Sequence, residues 1–185
     1  MNMLEFFQQV LPKEGFYVTT VINTDGRRQG FFNSVDELAT VCERLDKTNN
    51  NTYFAISAFK QKGNRKQDNV RTTKVIAIDV DCGPTKPYPS WKEGLSALGK
   101  FVADLKLPKP MIVHSGNGLH VYWVLNNELA PEDWIPLAQA MKQAAIDKEF
   151  KIDAGLTANS ALVLRPVGTH NPKNGNEVKV LVTSK

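Results

Sequence analysis

The sequence KVIAIDVD (Lys74–Asp81) places four apolar residues directly before two aspartates that are one residue apart. Its short length and β-branched content predict a buried strand. Side chains alternate along a strand, so Asp79 and Asp81 leave on one face and Val80 on the other. Two carboxylates on one face repel each other unless a cation lies between them, which indicates a divalent metal with oxygen ligands. A strand that ends in the polar turn Cys82-Gly83-Pro84 is the alternative interpretation.

The composition is that of a globular protein. The chain has 185 residues, which is enough for one domain with its own buried core. Its two cysteines, Cys42 and Cys82, lack Cys-x-x-Cys spacing. We therefore expect no zinc finger and no disulfide framework, and we expect a reducing, cytoplasmic setting. The sequence has no long apolar run and no signal-peptide pattern, so we expect no membrane partner.

A basic segment, residues 60–74, precedes the paired aspartates. The whole chain has a net charge of +4, but this segment alone has six basic residues against Asp68. The basic residues are Lys60, Lys62, Arg65, Lys66, Arg71 and Lys74. A local basic segment without periodicity is typical of a loop that contacts phosphates, and we expect it to bind nucleic acid. A solvated surface loop explains the same composition.

Hairpins alternate with long helices along the chain. The turn signals Asp25-Gly26 and Asn117-Gly118 predict hairpins. Capping boxes that begin at Ser34 and Ser90 predict two helix starts. The predicted strands are 15–23, 30–32, 52–59, 74–81, 111–114, 119–125, 161–165 and 177–183, and the predicted helices are 1–10, 34–45, 90–105 and 131–150. This mixed order predicts an α+β fold with a mostly antiparallel or mixed sheet.

The turn between the predicted strands at 111–114 and 119–125 is typical of a phosphate site. In His114–His120 (HSGNGLH), the two glycines, Gly116 and Gly118, allow backbone N–H groups to approach a ligand. Successive N–H groups in such a turn can hold an anion. Ser115 and Asn117 add polar side chains, and His120 lies on the returning strand. A plain hairpin with a solvent-facing histidine is the alternative.

A second polar segment follows the last predicted helix. Arg165 comes directly after an apolar run, so we expect it at a strand end, where its guanidinium can grip a triphosphate. Lys173 adds a point charge farther along. Asp153 can supply a third carboxylate, although Glu149 and Glu177 remain open as alternatives for that role.

Clustered acids beside a basic rim suit one class of chemistry. Phosphoryl and nucleotidyl transfer need two divalent cations about 3.5–4 Å apart. The sequence has no G-x-x-x-x-G-K-[ST] loop, so the phosphates are not held as they are in P-loop NTPases. The residues therefore predict metal-dependent chemistry on a polyphosphate.

Three motifs in this order resemble the archaeo-eukaryotic primase superfamily. They are Asp-Val-Asp at a strand end, Ser-Gly-Asn-Gly-Leu-His-Val-Tyr-Trp, and Asp153 followed by Leu-Arg-Pro-Val-Gly-Thr-His-Asn-Pro-Lys. The closest likeness is to the primase-polymerase branch of phages and plasmids, and it covers about residues 74–173. It implies a DNA primase/polymerase catalytic domain that uses Mg²⁺ or Mn²⁺, in the cytoplasm of a bacterial host.

The resemblance also implies a layout. We expect a single catalytic domain over 1–185, with an N-terminal α/β lobe (1–73) beside an RRM-like lobe (74–185). Asp79, Asp81 and Asp153 would bind the metal ions, and His120 would contact the incoming nucleotide. The other expected nucleotide contacts are Ser115, Gly116, Asn117, Arg165 and Lys173, and the expected DNA contacts are Lys60, Lys62, Arg65, Lys66 and Arg71.

Several departures from the family pattern accompany these expectations. The middle motif has a longer Ser-Gly-x-Gly-x-His form, and Asp153 is the weakest of the matches. Relatives often have a helical primase domain or a helicase after this core, so we expect such partners in a longer parent chain and a monomer for this domain. Two rival functions remain: a non-catalytic single-strand DNA-binding replication initiator, and a metal-dependent nuclease.

Overall fold

A computed structural model describes residues 1–184. Within these residues the chain forms nine strands, four α-helices and one short 3₁₀ turn. The helices are α1 (Met3–Val10), α2 (Val35–Lys47), α3 (Trp91–Asp104) and α4 (Pro131–Asp147), and the 3₁₀ turn is Gln67–Asn69. The strands are β1 (Tyr17–Asn23), β2 (Gly26–Phe32), β3 (Thr52–Ala55), β4 (Ser57–Phe59), β5 (Val70–Val80), β6 (Met111–His114), β7 (Leu119–Leu129), β8 (Val163–Leu164) and β9 (Lys179–Val182). This composition confirms the predicted α+β class.

The apolar run before the aspartates forms the middle of β5. Val75 and Ile78 are fully buried, as the strand prediction requires. The strand begins at Val70, earlier than predicted, so Arg71 belongs to a strand and not to a loop. This correction has a simple cause, because β5 pairs with β4 on one side and with β7 on the other, and the ladder extends into the polar residues.

The nine strands form two antiparallel sheets. The first sheet has the order β2-β1-β3-β8, and the second has the order β4-β5-β7-β6-β9. The chain passes from the first sheet to the second at β4, returns to the first sheet at β8 and ends in the second sheet at β9. Residue 74, the predicted start of the second lobe, lies inside β5. The predicted strand 52–59 is divided at Ile56 into β3 and β4, which belong to different sheets.

Helices pack on opposite faces of the second sheet. Phe6 of α1 contacts Tyr122 edge-on, with ring centroids 5.5 Å apart, so α1 lies on the Tyr122 face. Gly94 of α3 lies against Val80, since a Cβ added there would be 3.5 Å from a Val80 methyl group. Val80 and Tyr122 project to opposite faces by strand alternation and pairing. Asp79 therefore shares a face with Tyr122, away from α3.

Two predicted helix starts differ in detail. The Ser34 hydroxyl accepts a hydrogen bond from the Glu37 N–H at 3.2 Å, as predicted, but the Glu37 carboxylate accepts from the Asn33 N–H and does not complete the predicted box. Ser90 precedes α3 but makes no side-chain capping bond, so that part of the prediction is wrong. A complete capping box forms instead at Asn2, whose side chain and that of Glu5 bond each other's backbone N–H groups. No helix within residues 1–184 is long and apolar enough to span a membrane.

Candidate active site

The three predicted acids come from two parts of the chain. Asp79 is near the end of β5, Asp81 follows that strand, and Asp153 lies in the loop after α4. The Asp153 N–H donates to the Asp79 carbonyl oxygen at 3.0 Å, which fixes this loop against the strand. Asp81 and Asp153 line the same cavity, with a volume of about 280 Å³. The structure therefore brings together the acids that the motifs predict.

Asp79 is the most perturbed of these acids. Its side chain is 23% exposed. The pKa of Asp79 is raised to about 7. Burial is the largest cause, and the negative charges of Asp81 and Asp153 add to it. The carboxyl group is thus only partly ionised near neutral pH, and a cation among the three acids would stabilise its charged form.

Lys86 already supplies one positive charge to this cluster. Its Nζ lies 2.7 Å from Oδ2 of Asp81, and the two side chains are 45% and 49% exposed. Sequence reasoning did not identify this lysine, since it lies in a proline-rich turn without a motif. An exposed ion pair of this kind is weak and exchanges easily with solvent or another cation.

The donor set fits a divalent cation, although its side chains are not gathered as ligands. No group of three or more His, Cys, Asp or Glu side chains within residues 1–184 is arranged to hold a metal ion. The Asp81 carboxylate is held by Lys86, and the Asp153 carboxylate accepts bonds from the Gly155 and Leu156 N–H groups. Three hard oxygen donors with mutual repulsion are nevertheless the ligands that Mg²⁺ and Mn²⁺ prefer.

His120 lies beside Asp79 on the neighbouring strand. The two residues are directly paired between β5 and β7, and His120 Nε2 is 3.9 Å from Asp79 Oδ1. His120 is 4% exposed, and its Nδ1 has no hydrogen-bond partner. Burial lowers the pKa of His120 to about 3, and the nearby Arg165 charge contributes. The imidazole is therefore neutral at pH 7 and offers one donor and one acceptor.

Arg165 reaches the site from the end of β8. Its Nη2 donates to the Tyr53 hydroxyl at 2.9 Å, and its guanidinium lies 4.6 Å from the Tyr53 ring centroid. Arg165 is 6% exposed, and its Nη1 has no partner. Its charge acts on Asp79, where it lowers the pKa against the stronger raising effects. The strand-end position predicted for Arg165 is confirmed, whereas sequence reasoning missed Tyr53, whose position in a predicted strand carried no functional signal.

The glycine turn differs from an open anion cradle. The Ser115 N–H donates to the Gly118 carbonyl, and the Gly118 N–H donates to the Ser115 hydroxyl at 3.1 Å. The Gly116 N–H donates to His114 Nδ1 at 3.3 Å. The expectation that these N–H groups face a ligand is therefore not met, because the turn uses them internally. Glycine is needed at 118 for close approach, since an added Cβ would lie 2.2 Å from the Val80 oxygen.

Two further predicted nucleotide contacts lie around this turn. The Asn117 side-chain amide donates to the Cys82 carbonyl, which ties the turn to the chain just after Asp81. Lys173 is exposed on the loop 171–176. That loop packs on the turn, because Asn174 and Asn176 both donate to the Gly116 carbonyl at 2.9 Å.

The basic segment is more ordered than predicted, and its side chains diverge. Arg71 forms an ion pair with Glu14 at 2.7 Å, and Lys60 donates to the Asp68 carbonyl. Lys62 lies over the Phe16 ring, 5.3 Å from its centroid. Lys66 is exposed, whereas the half-buried Arg65 donates through Nη1 to the Ala161 carbonyl. Arg71 therefore points toward the loop after α1, which contains Glu14.

Comparisons with known proteins connect this geometry to a fold. No family model matches the sequence, and no curated protein matches it. Among solved structures, the AEP domain of the cyanophage S-2L primase-polymerase superposes with a TM-score of 0.71 at 15% identity, covering 100% of this chain and 90% of that one. The catalytic domain of the primase RepB′, solved in complex with initiator DNA, superposes with a TM-score of 0.64 at 12% identity, covering 100% of this chain and 86% of that one. The chain therefore shares the fold of these two domains, which is the fold that its motifs predict.

Proposed function

We propose that this chain is a DNA primase/polymerase catalytic domain that adds nucleotides to a 3′-hydroxyl on a DNA template. One observation carries the proposal: Asp79, two neighbouring acids, neutral His120 and Arg165 converge where the two sheets meet. Acids on one side and an arginine with a free Nη1 on the other match the needs of a metal-bound triphosphate. The fold shared with primase-polymerase domains supports the same function.

Asp79, Asp81 and Asp153 would hold the Mg²⁺ or Mn²⁺ ions. Bound divalent cations would favour ionisation of the attacking hydroxyl and neutralise charge on the leaving pyrophosphate. Lys86 balances the acids in the absence of such ions, because its ion pair with Asp81 is exposed and exchangeable.

Arg165 and His120 would hold the nucleotide. The free Nη1 of Arg165 is a charged donor, and a phosphate oxygen is its natural partner. Neutral His120 adds a donor without adding repulsion toward Arg165. Ser115, Asn117 and Lys173 lie on or beside the turn next to this position, and we propose them as further contacts to the triphosphate or its sugar.

A primer-extension assay tests the proposal and separates it from its rivals. The protein is incubated with a labelled primer on a DNA template, dNTPs and either Mg²⁺ or Mn²⁺. Extension supports the polymerase function, and shortening of the primer supports a nuclease. A gel shift without either reaction supports a non-catalytic initiator module. Either of the last two outcomes would overturn the proposal.

A further inference from the structure

The four-stranded sheet has two faces of different character. Phe54 on one face packs against Phe7 of α1, with ring centroids 5.0 Å apart, and belongs to the same buried cluster as Leu38 of α2. Val18 and Ala55 belong to a separate small cluster on the opposite face. We call this opposite face the second face. Helices α1 and α2 do not cover the second face. Phe59, Val70 and Ala161 close its centre, whereas its outer part at β2 stays exposed.

Strand pairing identifies the side chains on the second face. Val18 pairs with Phe31, and Ile22 pairs with Arg27. Thr20, between Val18 and Ile22 on the same side of β1, pairs with Tyr53 of β3. Paired residues in antiparallel strands project to the same side. Arg27, Phe31 and Tyr53 consequently share the second face, whereas Arg28 projects to the helix-covered face.

Positive charge concentrates on the second face. Burial lowers the pKa of Arg65, and the positive charge of Arg27 lowers it further. Arg65 is fixed across the face by its bond to the Ala161 carbonyl. Arg165 is at the β8 end, where it contacts Tyr53. Three arginines on one face of a sheet favour an anionic partner.

Unpaired polar atoms lie among these charges. Thr20 Oγ1, Arg65 Nε and Arg165 Nη1 are buried without a hydrogen-bond partner. Thr20 is 1% exposed and Arg165 is 6% exposed. Buried polar groups without partners are costly. Arg165 Nη1 is assigned above to the triphosphate, so Arg65 is the arginine whose unsatisfied donor favours a second anionic ligand on this face.

Phe31 adds an apolar contact to this arrangement. Its ring is only partly buried and packs at the edge of the small cluster. A partly exposed aromatic ring beside arginines is the arrangement that proteins use to stack unpaired bases while they hold the phosphates. Bases in a duplex are already stacked on each other, so the preferred partner is single-stranded.

We propose that the second face binds single-stranded DNA, with Arg27 and Arg65 on the phosphates and Phe31 against a base. The DNA would run from the outer strand β2 past Arg65 toward Arg165 and Asp79. The identity of this strand as the template rests on the proposed function. Binding itself does not, and it is measured without nucleotides or metal.

The test compares two arginines of the same strand. Fluorescence anisotropy with a labelled oligothymidylate, in EDTA and over a series of salt concentrations, gives affinity and its salt slope. We expect Arg27→Gln to weaken binding several-fold and reduce the slope by about 0.7, because one phosphate contact is lost. The matched control Arg28→Gln removes the same charge from the other face and should bind as the unmodified protein does. Equal effects of the two substitutions would overturn the proposal.

A second substitution tests the aromatic contact. Phe31→Leu keeps an apolar side chain but removes the stacking surface, and we expect about a fivefold or greater loss of single-strand affinity with an unchanged salt slope. A thermal melt checks that the variant is folded. Unchanged affinity in the folded variant would exclude the base contact. If extension fails but the Arg27/Arg28 contrast holds, the proposed function is wrong and the binding surface remains.

Discussion

Arg165 and Tyr53 hold each other in two ways, since Nη2 donates to the Tyr53 hydroxyl at 2.9 Å and the guanidinium lies 4.6 Å from the ring centroid. Tyr53 therefore positions the arginine that we assign to the triphosphate. We expect Tyr53→Phe to raise KM for dNTPs several-fold with a smaller change in kcat, because the ring contact remains while the hydrogen bond is lost. Steady-state primer extension over a range of dNTP concentrations measures both constants.

Tyr17→Phe is the control for that experiment. It also removes a hydroxyl hydrogen bond, to the Pro12 carbonyl at 2.8 Å, but away from Arg165. Only Tyr53→Phe should weaken dNTP binding in a direct titration. Equal KM values for the two variants would rule out a positioning role for Tyr53.

The paired aspartates should be essential for catalysis. Asp79→Asn and Asp81→Asn keep the side-chain size but remove charge, and we expect each to lower the incorporation rate by about two orders of magnitude or more. Asp104→Asn, at an exposed ion pair with Lys100 on α3, is the matched control. Single-strand DNA affinity should not fall in any of the three variants. Full incorporation by the first two would disprove the assignment of the site.

Lys86 should compete with the metal. Lys86→Ala removes the cation beside Asp81, so we expect tighter Mn²⁺ binding by about two- to fivefold, in keeping with an exposed ion pair. Lys100→Ala, which breaks a similar exposed pair on α3, should leave Mn²⁺ binding unchanged. Electron paramagnetic resonance of free Mn²⁺ measures this directly. Weaker binding in Lys86→Ala would show that the lysine supports the metal site.

Gly118 should tolerate no side chain. A Cβ there would lie 2.2 Å from the Val80 oxygen, so Gly118→Ala must move the turn or β5. We expect a loss of about 1–3 kcal/mol in the free energy of unfolding, measured by urea denaturation. Gly99→Ala on α3 is the control, because an added Cβ meets nothing within 4 Å, and helix propensity predicts a gain of about 0.5–1 kcal/mol. Equal stabilities would contradict this account of the turn.

Tyr17 should make stability sensitive to alkali. Burial, followed by the charges of Glu128 and Glu14, raises the pKa of Tyr17 above its ordinary value of 10. Above pH 10 the unfolded chain loses this proton first, so the stabilisation is complete below pH 10 and declines as pH rises. Tyr17→Phe should be about 1 kcal/mol less stable at pH 7 and lose less stability between pH 9 and 11. A parallel decline in both proteins would show that Tyr17 does not titrate in this way.

Local sequence patterns predicted part of the fold around the site. Alternation along the strand predicted that Asp79 and Val80 leave on opposite faces, as they do in β5, but the strand ends at Val80 and alternation does not fix the direction of Asp81. The apolar run predicted the buried core of β5. These features depend on residues that are neighbours in sequence, and strand geometry alone fixes their relation.

Contacts between residues far apart in the sequence could not be predicted from local patterns. Tyr53 and Arg165 are 112 residues apart, and only the pairing of β3 with β8 brings them together. Lys86 was missed because an exposed lysine has no sequence pattern that marks its partner. The glycine turn was predicted as a loop that faces a ligand, but hydrogen bonds within it, including that of Ser115 with Gly118, decide its shape.

The return of β8 to the first sheet has a consequence for synthesis of the chain. Pairing of Phe54 with Leu164 cannot form until residue 164 has left the ribosome. While the second sheet is synthesised, β3 therefore pairs with β1 on one side and has no partner strand on the other. A nascent chain stopped before Val163 would expose that edge to other strands, and it would lack Arg165 altogether. Synthesis of residues 163–165 thus completes the first sheet and also supplies Arg165, the proposed triphosphate contact.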